Sequence, residues 1–216
     1  MSIDFELQPA AGRGACTNEL GFGSIFADHM FTQRYKEGLG WHDAVIKPLK
    51  EFTLHPAASV LHYGQEIFEG LKAYRRADGG INLFRPDQSV ARFNASADRM
   101  VMPRVDERSH LEAIKQVVLA DQRWVPSQKG ASLYIRPAMI ATTPTLGLGA
   151  ASEYLHFIIT SPVGPFFKEG FTPVSVYVSD VIRRAVKGGV GEAKTGGNYG
   201  ASMFMAEQAA DEGTGG

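Results

Sequence analysis

The chain has 216 residues, 44% of them hydrophobic, enough apolar surface for one large domain or two small ones. Its formal net charge of −1 lacks the basic excess that binding a phosphate backbone requires, which excludes a general nucleic-acid binder. The single cysteine, Cys16, excludes an internal disulfide and a thiolate metal cluster. No stretch approaches the roughly 20 apolar residues that cross a bilayer, and Met1–Gly14 lacks an apolar run behind a basic start, so a soluble protein of a reducing cytoplasm is expected.

In chain order, residues 1–21 are mixed and Gly-rich and read as a loose arm, with order beginning near Phe22. Phe22–Met30 and Ile46–Leu54 read as strands. Tyr63–Tyr74 places Ile67 and Leu71 at helical spacing, weakened by Gly64 and Gly70, and reads as a short helix leading into a strand. Arg85-Pro86-Asp87 introduces a clearer helix, because proline suits a first turn, with Val90, Phe93, Ala97 and Met100 on one face. Leu111–Val118 continues in helical style. Ala131–Ala141 alternates, Leu133 and Ile135 on one face and Tyr134 and Arg136 on the other, and Tyr154–Thr160 is an apolar strand-like run; the two are expected to pair in a sheet.

Between Pro162 and Pro173 lie three prolines and two glycines in twelve residues, the best candidate for an interdomain linker. The expected organisation is therefore an arm over 1–21, a small α/β domain over 22–163, a linker over 164–173 and the start of a second domain over 174–216. In that last segment Val174–Val178 alternates as a strand and Ala201–Ala210 is a strong helix former. One strand, one loop and one helix cannot bury a domain's worth of surface, so the expectation is of an incomplete second domain in a truncated chain.

The stretch from Gly188 to Gly200 sets one lysine, Lys194, among six glycines immediately before that helix. Glycine lets backbone approach a bound group closely, so this lysine is presented to something flat or anionic. A free amine has a reference pKa of about 10.4 and is charged at neutral pH; nearby positive charge favours its neutral, nucleophilic form. Arg183, Arg184 and Lys187 lie just upstream and supply that charge if the loop folds back on them. Tyr199, five residues on, offers a hydroxyl to a phenolate-type oxygen, or is an aromatic packed inward at a helix start. A flexible loop and a phosphate-binding loop are the competing readings. The second fails where Ala193 stands in place of the glycine before the lysine. The six histidines are scattered without ligand spacing, and no metal is expected.

Gly191-Glu192-Ala193-Lys194-Thr195-Gly196-Gly197-Asn198-Tyr199 resembles the lysine motif of the branched-chain amino-acid aminotransferases, pyridoxal 5'-phosphate enzymes of fold type IV. So, in the same order along the family, do Phe22-Gly23-Ser24-Ile25-Phe26-Ala27-Asp28-His29-Met30, the segment Leu61–Tyr74, Leu83-Phe84-Arg85-Pro86 and Ser132-Leu133-Tyr134-Ile135-Arg136-Pro137. The resemblance runs from about residue 20 to the end. It implies an α/β (α+β) fold with a small N-terminal domain and a larger β-rich one, and transfer of an amino group between leucine, isoleucine or valine and 2-oxoglutarate. Lys194 would be the Schiff-base lysine and proton shuttle. Arg92 would hold the cofactor phosphate, with Arg184 close to it, and Tyr199 would bond the phenolic oxygen.

Phe26, Tyr63, Phe68, Tyr134 and Arg136 match positions of the substrate pocket, partly across the interface of a homodimer. Without the resemblance, Phe26, Phe68 and Tyr63 read as core residues. The family continues well past this length, and the missing part supplies the acidic partner of the pyridine nitrogen; the chain alone is therefore expected to show little or no turnover. A D-amino-acid transaminase, an aminodeoxychorismate lyase, or a non-catalytic piece that keeps only a dimerising N-terminal domain are the alternatives.

Overall fold

The computed structural model describes residues 2–16, 20–165, 173, 175–179, 181–211 and 213. Its centre is one sheet of eight strands: β1 (Asp4–Phe5), β2 (His29–Lys36), β3 (Gly40–Pro48), β4 (Glu66–Phe68), β5 (Leu71–Arg75), β6 (Ile81–Leu83), β7 (Ser132–Ala141) and β8 (Glu153–Val163). The strand order is β1-β3-β2-β8-β7-β5-β6, with β4 also paired to β7. All pairings are antiparallel except that of β1 with β3. Four α-helices, α1 (Val60–Tyr63), α2 (Pro86–Arg99), α3 (Glu107–Ala120) and α4 (Gly196–Asp211), and two single 3-10 turns, Ala10–Gly12 and Gln122–Trp124, complete the described chain.

β7 and β8 pair along their whole length, Ser132 opposite Val163 through Ala141 opposite Tyr154, as their alternation predicts. Leu133 and Ile135 point into the core, and Tyr134 and Arg136 stay partly exposed. Against the same face pack Val90 of α2 and Ile114, Val117 and Val118 of α3, together with Phe31, Ile46 and Ile158. A second apolar cluster joins Phe93 and Ala97 of α2 to Ile67, Met139 and Tyr154. Each large side chain so buried contributes roughly 1.5–3 kcal/mol, which is what holds these helices on the sheet.

The structure departs from the sequence expectations at several places. The first strand expected over Phe22–Met30 begins only at His29, because residues 22–28 have no partner strand. β3 starts at Gly40 and ends at Pro48, earlier than Ile46–Leu54, since proline supplies no ladder donor. The short helix precedes Gly64, whose left-handed conformation (φ 59°) ends it, so Ile67 and Leu71 lie on strands instead.

The arm is not loose. β1 pairs with β3, the Gln8 and Gly14 N–H groups donate to His29 Nε2 and Asp28 Oδ1, and the Cys16 N–H donates to the Arg123 carbonyl. Val174 lies outside the described residues, and 175–178 form no strand. Pro162 and Val163 close β8, and of the expected linker 164–173, residues 166–172 lie outside the described residues. α4 starts five residues earlier than expected, at the Gly196-Gly197 pair.

Candidate active site

The loop that carries Lys194 is fixed by its backbone. The Lys194 N–H donates to Ser96 Oγ on α2 at 2.9 Å, and its carbonyl accepts from the Phe68 N–H of β4 at 3.0 Å. Buried Asn198, in the first turn of α4, donates from its side-chain amide to the Val190 and Ala193 carbonyls, both at 2.8 Å. Arg99 caps the Gly189 carbonyl at 2.9 Å. The Gly196 N–H donates to Glu66 Oε1, an approach that a Cβ at residue 196 would block. Of the motif's six glycines, Gly189, Gly191 and Gly196 sit where a Cβ would crowd a neighbour, and only Gly188 (φ 79°) uses the left-handed region.

So held, the Lys194 Nζ donates to Tyr199 Oη at 2.6 Å. It lies 4.8 Å from the centre of the Phe68 ring and 4.9 Å from that of Tyr199. The Phe68 and Tyr199 rings contact each other at 5.1 Å. The Arg136 guanidinium lies 4.5 Å from the centre of the Phe68 ring and donates to Tyr134 Oη at 2.9 Å, while Arg184 comes within 5.9 Å of the Tyr199 ring. An amine and a phenol thus meet beside aromatic rings with two guanidinium groups near them. Burial pushes the Glu66 carboxyl up from its ordinary value, against the Gly196 N–H and the Arg136 charge, which favour the carboxylate.

Of the nine residues singled out from sequence, Lys194, Tyr199, Phe68, Arg136, Tyr134 and Arg184 form this connected cluster. Phe26 lies beside it: Phe22, Phe26, Tyr134, Arg136, Thr160 and Ser161 line a cavity of about 230 Å³. Arg136 Nε, Thr160 Oγ1 and Ser161 Oγ are buried there without hydrogen-bond partners. Arg92 is held at the rim. Its Nε and Nη2 fork onto buried Glu69 at 2.5 and 2.7 Å, which raises the guanidinium above its ordinary value and leaves Nη1 as the remaining donor nitrogen. Tyr63 is not brought into the cluster; on α1, its hydroxyl donates to the Leu146 carbonyl.

Glu66, Glu69, Ser96 and Asn198 were not singled out in the sequence. The two glutamates sit inside the Leu61–Tyr74 segment, and their signal was an acid within two residues of an apolar strand residue, Ile67 or Leu71.

The sheet with its two covering helices has the architecture of the fold type IV proteins. A branched-chain aminotransferase from Thermoproteus uzoniensis, solved with norvaline, superposes with a TM-score of 0.66 at 21% identity over 86% of this chain and 58% of that one. A T.th. branched-chain amino acid aminotransferase complexed with N-(5'-phosphopyridoxyl)-L-glutamate superposes with a TM-score of 0.63 at 26% identity, over 88% and 57% of the two chains. By sequence the chain is similar to branched-chain aminotransferases over most of its length. It is 52% identical over 196 residues to branched-chain-amino-acid transaminase 1 of Bacillus subtilis (strain 168), covering 90% of this chain and 55% of that protein. It is 49% identical over 215 residues to a probable branched-chain-amino-acid aminotransferase of Streptomyces coelicolor, with 96% and 59% covered. The chain spans about half the length of the curated relatives it matches. No family model matches it.

Proposed function

We propose that the protein is a pyridoxal-phosphate-dependent branched-chain amino-acid transaminase, exchanging the amino group of leucine, isoleucine or valine with 2-oxoglutarate as a cytoplasmic homodimer. The observation that carries this is the Lys194 amine 2.6 Å from the Tyr199 hydroxyl, between the Phe68 and Tyr199 rings.

The donor set fits the cofactor chemically. It offers a primary amine for an aldehyde, a phenol for a phenolic oxygen, guanidinium groups for a phosphate, and a buried, unpartnered Arg136 Nε beside the 230 Å³ cavity for a substrate carboxylate. When bound, pyridoxal phosphate supplies an aldehyde that condenses with amines and a ring that draws electrons from the bond being broken. The chain's own residues do the rest. Lys194 presents the nucleophilic amine and then carries the proton to and from the substrate Cα. Tyr199 fixes the amine's direction, and Phe68 gives a flat wall that keeps water from one face. Arg184 and the free Nη1 of Arg92 provide positive charge for the phosphate. Tyr134 orients Arg136 toward the substrate carboxylate, with Phe26 and Phe22 as the apolar side.

The test is borohydride trapping: the purified protein is incubated with pyridoxal phosphate, reduced, digested and mapped by mass spectrometry. The expected result is one dominant adduct, on Lys194. An adduct spread over surface lysines would overturn the proposal.

A further inference from the structure

A sizeable cavity lies away from Lys194. About 510 Å³ opens between the N-terminal arm (Phe5, Leu7, Arg13), the end of α3 (Gln116, Leu119, Ala120), the turn that follows it (Gln122, Arg123) and Arg75 of β5. That volume lies within the range of small-molecule sites, and none of its lining residues belongs to the lysine cluster.

Its chemistry is one-sided. Three arginines line it and no carboxylate does. Among the described residues none of the three has an acidic partner within ion-pair distance, whereas Arg76, Arg92, Arg99 and Arg104 each do. The partners they have are neutral. Arg75 donates to the Gly79, Gln122 and Val125 carbonyls, and Arg13 Nε donates to the Gln8 carbonyl. Arg75 is therefore a positive charge fixed by both its terminal nitrogens, while the terminal nitrogens of Arg13 and the guanidinium of Arg123 retain forks that match a carboxylate.

Apart from the arginines and two glutamines the lining is apolar and open to solvent: Phe5 is 50% and Leu119 53% exposed, with Leu7 beside them. Exposed apolar side chains around uncompensated guanidinium groups suit an amphipathic anion. The wall is pinned, since Gln8, next to Leu7, donates its N–H to His29 Nε2 and the Cys16 N–H donates to the Arg123 carbonyl.

We propose that this cavity is a second binding site, for a monocarboxylate with an aliphatic tail, its head bracketed by Arg13 and Arg123 in the field of Arg75 and its tail on Phe5, Leu7 and Leu119. The proposal stands independently of the transaminase reading.

The test is titration of the isotope-labelled protein with octanoate, followed by NMR at the arginine Nε–H and leucine methyl signals, with 1-octanol and acetate as neutral-head and tail-less controls. Saturable shifts at Arg13, Arg123 and Leu119, and affinity at least about tenfold above that of either control, are expected. Arg123→Gln is expected to weaken octanoate about tenfold, and Leu119→Asp, which sets a carboxylate against the tail and head, to abolish saturation. Both positions are on the surface, so the two variants test the site without touching the core. Octanol binding as tightly as octanoate, shifts confined to the surroundings of Lys194, or unchanged affinity in Arg123→Gln would each overturn the proposal.

Discussion

Lys194 and Tyr199 are five residues apart in sequence, but what sets their 2.6 Å contact is long-range: Ser96 and Phe68 fix the lysine backbone, and Asn198 ties the turn before α4. Tyr199→Phe keeps the ring against Phe68 and removes only the acceptor. For a partly exposed pair that hydrogen bond is worth about 1 kcal/mol, so a roughly fivefold fall in the Lys194 adduct at subsaturating pyridoxal phosphate is expected in the trapping assay. The Arg92 and Glu69 pair behaves differently, because the glutamate side chain is 1% exposed while the arginine's is 58% exposed. Arg92→Ala leaves a buried carboxylate with the Gly70 N–H as its remaining partner. A loss of about 2–3 kcal/mol in urea unfolding is expected, the arginine's exposure keeping it below the range for fully buried pairs, and Glu69→Gln should recover part of it in the double variant. Gly70 is a third such place: a Cβ there would strike the Tyr134 hydroxyl, so Gly70→Ala should displace Tyr134 from Arg136. Asp28, His29 and Asp121 converge as a metal site would, yet their ligand atoms are taken by donors. His29 Nδ1–H gives to Asp121 at 2.6 Å, the His29 N–H to its other oxygen, and Gly14 N–H and Trp124 Nε1–H to Asp28.

At the scale of elements, legibility followed periodicity. α2 was readable because Val90, Phe93 and Ala97 recur on one face, and all three are buried as that spacing requires. β7 and β8 were readable from their alternation and apolar run, and they pair throughout. Phe22–Asp28 is rich in strand-forming apolar residues, but such a run says only that a segment can be buried; a strand also needs a neighbour, and β8 meets β2 only from Phe31 onward. The arm was unreadable because its order comes from a two-residue strand on β3 and single hydrogen bonds to His29 and Asp28, contacts too short to leave a periodic trace. Site residues divided the same way. Tyr134 and Arg136 stood out as polar side chains on an otherwise apolar strand, whereas Ser96 looked like any helix serine until the loop was folded against it. α2 also gives a test of packing. Phe93 is fully buried, with its ring 4.7 Å from His110 and 5.4 Å from His156, so Phe93→Ala is expected to cost about 3–5 kcal/mol, read as a fall in the urea midpoint at unchanged slope.

For the molecule as a whole, those two histidines couple the fold to pH. His110 of α3 and His156 of β8 lie 4.7 Å apart, ring to ring; both His110 nitrogens lack partners, and His156 has only Gln33. Burial pushes His110 from its ordinary 6.5 down to about 3, and burial together with the His110 charge holds His156 well below 6.5. Both rings are therefore neutral in the fold, while in the unfolded chain each takes a proton near pH 6.5. The unfolded state then binds more protons than the native state, so stability is full above about pH 6.5 and falls as the pH drops through 6.5 toward 3, where His110 protonates within the fold. Burial raises the Glu66 and Asp121 carboxyls above 4.5 and 3.8, so the native state holds their protons where the unfolded chain has released them, and these two oppose the histidines just above those values. His110→Leu separates the contributions by removing one base from the core and leaving both carboxyls in place. Urea unfolding between pH 7.5 and about pH 3.5 should show a steep loss of stability in the parent protein and a slope smaller by about one proton in the variant. Parallel slopes would mean that the core admits a proton at His110 without opening, and that the acid sensitivity of the sheet resides elsewhere.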